Sequence, residues 1–134
     1  MTTFNSDRAI FLQMADRLCD EILTGTYLEG DRVPSVRDYA ISLQVNTNTA
    51  VKTYEHLGRE GVIFNKRGMG YFVSPGAKNK IMEERKADFL RRTLPELFRS
   101  MAMLGISMDE VTAKHKDYVS RQEEARDWLC DETY

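Results

Sequence analysis

The sequence predicts a mostly α-helical fold with a small β wing, in which a winged helix-turn-helix is followed by a short two-helix tail. Two short amphipathic helices lie a tight turn apart within residues 34–59, and a Gly-tipped hairpin follows at residues 62–73. Beyond the hairpin the pattern changes to longer helices. We therefore divide the chain into a winged domain, residues 1–75, and a helical tail, residues 76–134.

The first helix is predicted from about Asp7 to Thr24, because apolar residues recur at helical spacing along it. This apolar stripe consists of Ile10, Phe11, Met14, Ala15, Leu18, Cys19 and Ile22. Gly25 is expected to end the helix, whose role is to complete a three-helix core. A short extended piece from Asp31 to Val33 is expected to pair beside the hairpin.

Both helices of the helix-turn-helix have sequence signals at their ends. Ser35 is a capping residue, and Asp38 three positions later favours the positive end of the first helix. Asn46 is a good N-cap for the second helix, and Gly61 is a typical residue just past its end. The two buried faces follow helical spacing and comprise Val36, Tyr39, Ala40 and Leu43, then Ala50, Thr53, Tyr54 and Leu57.

The second helix also carries a polar face, for which DNA recognition is the functional interpretation. Asparagine can pair with adenine, threonine can contact a base edge or a thymine methyl, and lysine can neutralise phosphate or reach guanine. An isolated helix with such a face is more often simply solvated, but the basic hairpin beside this helix favours DNA. The side chains that project from this face are Asn48, Thr49, Lys52 and His56.

The hairpin turn supplies a basic tip. It consists of Arg67, Gly68, Met69 and Gly70, and its glycines permit the positive φ angles that a tight turn needs. Such a tip can reach an adjacent groove or the DNA backbone. An ordinary hairpin is the alternative, because the RGxG pattern alone is a weak signal.

This ordered series of motifs resembles the GntR family of bacterial transcription regulators, over roughly residues 8–76. Residues 30–37 (GDRVPSVR) are similar to the opening motif of the family, residues 45–54 (VNTNTAVKTY) to its recognition helix, and residues 61–73 to its wing. The recognition helix and the short tail look most like the YtrA subfamily. Thr47 stands where that subfamily often has proline, so the operator sequences of the family should not be transferred.

The resemblance implies a homodimeric repressor that binds double-stranded DNA at a near-palindromic operator, in a transporter-containing operon. It therefore makes residues 1–75 a DNA-binding domain and residues 76–134 a dimerisation tail. Carried over to this sequence, the resemblance gives the candidate DNA contacts as Ser35, Arg37, Asn46, Thr47, Asn48, Thr49, Lys52, Arg67, Gly68, Met69 and Gly70. Pairing of Arg37 with an acidic residue is the alternative, although the positive helix end favours phosphate. It implies no cofactor and leaves any small-molecule effector unidentified.

The tail carries more apolar surface than two helices can bury against each other. Pro95 predicts a kink or a helix restart, and the capping-box spacing of Thr93 and Glu96 favours the restart. Ser107 and Glu110 have the same spacing and predict the start of the last helix. We interpret the surplus face as an intersubunit seam, and packing on the first helix of the same chain is the alternative. The seam residues are Leu90, Leu94, Leu97, Phe98 and Met101.

Composition favours a cytoplasmic protein with a local basic patch. The net charge is −2, yet residues 32–73 carry six basic and three acidic side chains, a net charge of +3. No apolar run approaches the roughly 20 residues of a membrane span, and the N-terminus lacks a secretory signal pattern. Cys19 and Cys130 lack metal-site spacing and are predicted to be free thiols, with an intersubunit disulfide as the alternative.

Two other functions remain open from the sequence. The first is a winged-helix module for protein interaction, against which the polar helix face and the basic wing argue. The second is a metabolite sensor with a small-ligand site at the dimer interface, although two tail helices seldom enclose such a site. An enzyme is not predicted, because the sequence contains neither a phosphate-binding loop nor a GxSxG motif nor metal-ligand spacing. No catalytic residue is therefore assigned.

Overall fold

The computed structural model describes residues 8–131, with side chains described for residues 8–126. Its helices are α1 (Ile10–Leu23), α2 (Val36–Leu43), α3 (Thr47–Arg59), α4 (Ala77–Asp88), a π-helical turn (Phe89–Thr93), α5 (Leu94–Leu104) and α6 (Met108–Asp131). Strands β1 (Ile63–Lys66) and β2 (Gly70–Val73) pair as an antiparallel hairpin. The predicted fold class, mostly α-helical with a small β wing, is confirmed.

The core of the first compact unit lies between α1, α2, α3 and the inner side of the wing. Met14 and Leu18 of α1 and Tyr54 of α3 have no exposed surface, and Ile63 and Val73 bring the two strands into the same cluster. The predicted start of α1 at Asp7 lies outside the described residues. Most of the predicted apolar stripe of α1 is buried in this core, but its first residue, Ile10, is 48% exposed and Phe11 is half-buried.

The first unit extends to Ala87, whereas the sequence suggested a boundary at residue 75. Ala77 and Ile81 of α4 are buried in the same core as α1 and α3. Further along α4, the Arg85 guanidinium donates hydrogen bonds to the Asp20 carboxylate (2.5 Å) and to the Asp16 backbone carbonyl (3.0 Å). The winged unit is therefore built with α4 as well.

The extended piece before α2 pairs with the wing, as predicted. Arg32 forms an isolated antiparallel bridge with Phe72. The backbone N–H of Val33 donates to the Tyr71 carbonyl at 2.9 Å, and the N–H of Val73 donates to the Asp31 carbonyl at 2.9 Å. These bonds give β2 a partner on each side.

The second unit departs from prediction near Pro95. Thr93 has helical backbone angles (φ −72°, ψ −42°) and its side chain caps nothing, so the predicted capping box with Glu96 is wrong. The π-helical turn Phe89–Thr93 directly precedes α5, which contains Pro95 in its first turn. A π-helical turn offers a break in the regular hydrogen-bond ladder where proline, which lacks an N–H, can be accommodated.

The start of α6 follows the sequence signal. The Ser107 hydroxyl accepts the backbone N–H of Glu110 at 3.2 Å, which confirms this side of the second capping box. Gly105, which ends α5, has the positive φ of 68° that such a stop requires. Among the helices of residues 8–131, none is both long and apolar enough to cross a membrane.

The thiol of Cys19 is buried in the core and forms no disulfide with any residue that the structure describes. The predicted free state of both thiols, against an intersubunit disulfide, stays a prediction. Burial raises its pKa to about 12, and the thiolate is the reactive form of cysteine. We expect this thiol to resist an aromatic disulfide reagent in the native protein near neutral pH and to react once urea unfolds the chain. A Cys130→Ser background isolates the measurement to Cys19, and rapid labelling of that native variant would contradict the burial.

Candidate nucleic-acid interface

The start of α2 presents a capped helix end and a cation that pairs with no described carboxylate. The Ser35 hydroxyl accepts the backbone N–H of Asp38 at 3.1 Å, which confirms the predicted cap and leaves its own O–H to donate elsewhere. Arg37, in the first turn, is exposed. Within residues 8–126, its guanidinium makes no ion pair with any carboxylate, Asp38 included. Arg37 is therefore placed to attract an anion from outside the chain.

The start of α3 is capped in the same way. Asn46 Oδ1 accepts the backbone N–H of Asn48 at 2.8 Å, and the side chain of Asn46 is exposed, so its amide N–H groups remain as donors. Thr47, Asn48 and Lys52 are exposed, and Asn48 and Lys52 lie one helical turn apart on the same side. Thr49 is half-buried, at the edge of this face.

Beneath this face, buried contacts hold α3 in place. The Thr53 hydroxyl lies 3.0 Å from the Thr49 carbonyl and 3.1 Å from the Phe11 carbonyl of α1, either of which can accept its hydrogen. The Tyr54 hydroxyl donates to the Pro34 carbonyl at 2.5 Å. These bonds tie α3 to α1 and to the segment entering α2, so the exposed face is presented from a fixed support.

At the wing tip, the structure exposes three of the four predicted residues, and Gly70, the first residue of β2, is half-buried. Arg67, Gly68 and Met69 are exposed, and the N–H of Met69 donates to the Lys66 carbonyl at 2.8 Å to close the turn. Gly68 and Gly70 adopt φ angles of +79° and +100°, which favour glycine. Arg67, like Arg37, has no ion-pair partner among the described side chains.

Four exposed residues near these elements were absent from the sequence-derived candidates. Gln44 lies in the helix-turn-helix turn with a φ of 55°, and Val51, 38% exposed, lies beside Lys52 on α3. Lys66 lies on β1, and Arg32 lies in the extended piece that bridges to β2. An apolar residue on an otherwise polar helix face was the available signal for Val51, and the predicted extended piece was the signal for Arg32.

The geometry defines a class of protein. A two-helix motif presents the polar side of its second helix, and a hairpin with a basic tip follows directly in the same compact unit. Such a helix fits the major groove, where base edges carry a readable pattern of donors and acceptors. This is the architecture of the winged helix-turn-helix DNA-binding proteins.

Comparisons with known proteins identify the family within that class. The profile of the family described as "Bacterial regulatory proteins, gntR family" matches residues 11–73. The uncharacterised HTH-type transcriptional regulator YhcF of Bacillus subtilis is 35% identical over 108 residues, which cover 81% of this chain and 88% of that protein. The HTH-type transcriptional repressor YtrA of Bacillus subtilis is 31% identical over 106 residues, covering 79% and 81%.

A solved structure agrees with these relatives. A chain described as a transcriptional regulator of the GntR family from Bacteroides thetaiotaomicron is 47% identical and superposes with a TM-score of 0.76, covering 84% of this chain and 98% of that chain. The protein belongs to the GntR family and is a DNA-binding transcriptional regulator. The predicted resemblance, including its YtrA-like character, is confirmed, and these relatives have a regulatory rather than an enzymatic role.

Proposed function

We propose that the protein is a homodimeric repressor that binds a near-palindromic duplex operator and controls a transporter-containing operon. The observation that carries the DNA-reading part is the exposed side of α3, on which Asn48 and Lys52 lie one turn apart. The name of the relative YtrA, a transcriptional repressor, supports the direction of regulation. The transporter-containing operon rests on the family resemblance.

The proposed contacts divide into those that read bases and those that hold the backbone. Asn48 and Thr47 carry the groups that can bond base edges, whereas Lys52, Arg37 and Arg67 carry charges for phosphate or guanine. Ser35, Asn46 and Thr49, together with the wing residues Gly68, Met69 and Gly70, complete the proposed surface. Phosphate contacts fix the register of a protein on DNA, and base contacts then select the sequence.

The homodimer is proposed from the apolar face of α5 and the turn before it. Leu90, Leu97 and Phe98 are 51%, 41% and 48% exposed, and Leu94 and Met101 are half-buried. Among the described residues of α5 none is buried. A second copy is the natural cover for this seam, because a palindromic site needs two identical reading units related by twofold symmetry.

Two alanine substitutions on α3 test the proposed reading. Asn48→Ala is expected to relax base preference at one operator position per half-site, because it removes the amide that pairs with a base. Lys52→Ala is expected to weaken binding to all sequences alike and to reduce the salt slope by about one unit. Both are measured by selection from a randomised duplex pool and by anisotropy titration at several salt concentrations.

Arg121→Ala is the matched control for Lys52→Ala, because it removes one positive charge from the exposed surface of α6. It is expected to leave both readouts at the wild-type values. Unchanged base preference in Asn48→Ala would count against direct reading by that residue. If the wild-type chain enriches no duplex at all, the winged unit acts in protein interaction instead.

A further inference from the structure

One face of the wing carries two cations and two aromatic rings that the helix-turn-helix and the wing tip do not account for. Side chains of paired residues in a sheet lie on the same side. Phe64 pairs with Phe72, and Phe72 is bridged by Arg32 on its other edge. Lys66 lies two residues beyond Phe64 on the same side of β1. We call Arg32, Phe64, Lys66 and Phe72 the wing face.

Arg32 is held on this face by the absence of a side chain at Gly70. A Cβ atom added at Gly70 would lie 3.2 Å from Nε and 3.4 Å from Nη2 of Arg32. The guanidinium therefore occupies the space that a side chain at position 70 would need, two residues before Phe72 on β2. This contact orients a charge that would otherwise sample many rotamers.

Lys66 is oriented by the aromatic pair. Its Nζ lies 5.0 Å from the centroid of the Phe72 ring, which is within the range of a cation–π interaction. The Phe72 ring stacks with Phe64 at a centroid distance of 6.0 Å and an interplanar angle of 29°. The rings thus serve as a support for the ammonium group, and Phe72 is engaged by both Lys66 and Phe64.

Among the side chains that the structure describes, no acidic group neutralises these two cations. The carboxylate of Asp31, next to Arg32 in sequence, instead accepts the backbone N–H of Leu28 at 2.8 Å. Within residues 8–126, neither Arg32 nor Lys66 forms an ion pair. Two oriented, exposed and uncompensated charges on one face are complementary to a phosphate backbone.

We propose that the wing face is a second DNA-contacting surface, on which Arg32 and Lys66 bind phosphates of the operator duplex. The proposal rests on the DNA-binding function above and adds two residues that lie outside the recognition helix and the wing tip. A duplex backbone is favoured over unstacked bases, because base stacking needs a free aromatic face. Here Lys66 and Phe64 both engage Phe72.

The test uses the full chain and the duplex that it enriches from a randomised pool. We expect Arg32→Ala and Lys66→Ala each to weaken binding about fivefold to tenfold and to lower the slope of log K against log salt by about 0.9. The base preference of the enriched duplex should not change, because phosphate contacts carry no sequence information. Arg32→Lys should retain the wild-type slope, and Arg121→Ala on α6 is the control for loss of one positive charge.

The outcomes separate the two levels of the proposal. The Arg32→Ala/Lys66→Ala double variant could unfold thermally as the wild type does and still bind DNA with the wild-type affinity and salt slope. That result would overturn the proposed role of the wing face and leave the proposed function intact. Preferential loss of single-strand binding in Phe64→Ala, with duplex binding unchanged, would also overturn it and assign the face to bases. Failure of the wild-type chain to enrich any duplex would refute the proposed function and, with it, this inference.

Discussion

Leu97→Glu is expected to convert the protein into a monomer and to weaken its binding to a palindromic duplex by about 10²- to 10⁴-fold. Leu97 is 41% exposed in the single chain, so the substitution should spare the fold of each subunit. In the proposed dimer the new carboxylate would be buried without a partner, which is strongly unfavourable. In a dimer, binding of one subunit to its half-site makes binding of the second subunit effectively intramolecular. A monomer loses this gain in affinity. Sedimentation equilibrium measures the first effect and anisotropy titration the second.

Arg99→Gln is the matched control, because it makes the same change in net charge on the same helix. Position 99 lies roughly opposite the seam of α5 by helical spacing, so this variant should remain a dimer with wild-type affinity. A dimer that survives both Leu97→Glu and Leu94→Glu would show that this seam is wrong, even if the tail still dimerises elsewhere.

Truncation of the chain tests whether the dimer interface lies in the tail, and the structure indicates at which residue the fragment should end. A chain ending at residue 75 would lose the buried side chains of Ala77 and Ile81, so its failure to dimerise would be confounded with unfolding. A chain ending at Ala87 keeps the whole first unit. We expect this fragment to be folded and monomeric, and a dimeric fragment would place the interface in the winged unit.

The features that the sequence could predict are local. The caps at Ser35 and Asn46 follow from side chains that reach a backbone N–H two or three residues away, and helical spacing identified the buried face of α3. The same local logic was wrong at Thr93, because the π-helical turn supplied another way to accommodate Pro95. Residue spacing fits both a capped restart and a continuous helix with a π-helical turn, so it could not separate them.

The features that the sequence could not predict depend on distant partners. Only two residues of α4, Ala77 and Ile81, are buried, and the rest of the helix is mostly polar. The helix therefore has no apolar stripe from which its packing on the first unit could be predicted. In the candidate interface, residue types and helical spacing indicated Asn48 and Lys52. The orientation of Arg32 instead depends on its close approach to Gly70, far along the chain, and on the pairing of both segments with the wing.

Tyr54→Ala is expected to lower the free energy of unfolding by about 3–5 kcal/mol, the usual cost of removing a buried aromatic ring. The Tyr54 ring is fully buried and contacts two other rings, Tyr71 at a centroid distance of 5.0 Å and Tyr39 at 5.9 Å. Because it joins α3 to α2 and to the wing, its loss should loosen the support of the DNA-contacting face. Urea denaturation followed by circular dichroism measures the change.

Tyr54→Phe separates the hydroxyl from the ring. It removes only the donor to the Pro34 carbonyl, so we expect a loss of about 1 kcal/mol at neutral pH. A loss as large as that of Tyr54→Ala would show that the hydroxyl, rather than ring packing, dominates the contribution of Tyr54 to stability.

The wild type and the Tyr54→Phe variant are also expected to differ in how their stability depends on pH above 10. Burial, and next the charge of Tyr27, raise the pKa of Tyr54 above its ordinary value of 10.0. The unfolded chain therefore ionises this tyrosine before the folded chain does, so its contribution is fully present below pH 10 and is lost as pH rises further. For one such group the loss is about 1.4 kcal/mol per pH unit. We expect the Tyr54→Phe variant to lose less stability than the wild type above pH 10, because phenylalanine cannot ionise. Parallel pH dependences in the two proteins would mean that Tyr54 ionises as readily in the folded chain as in the unfolded one.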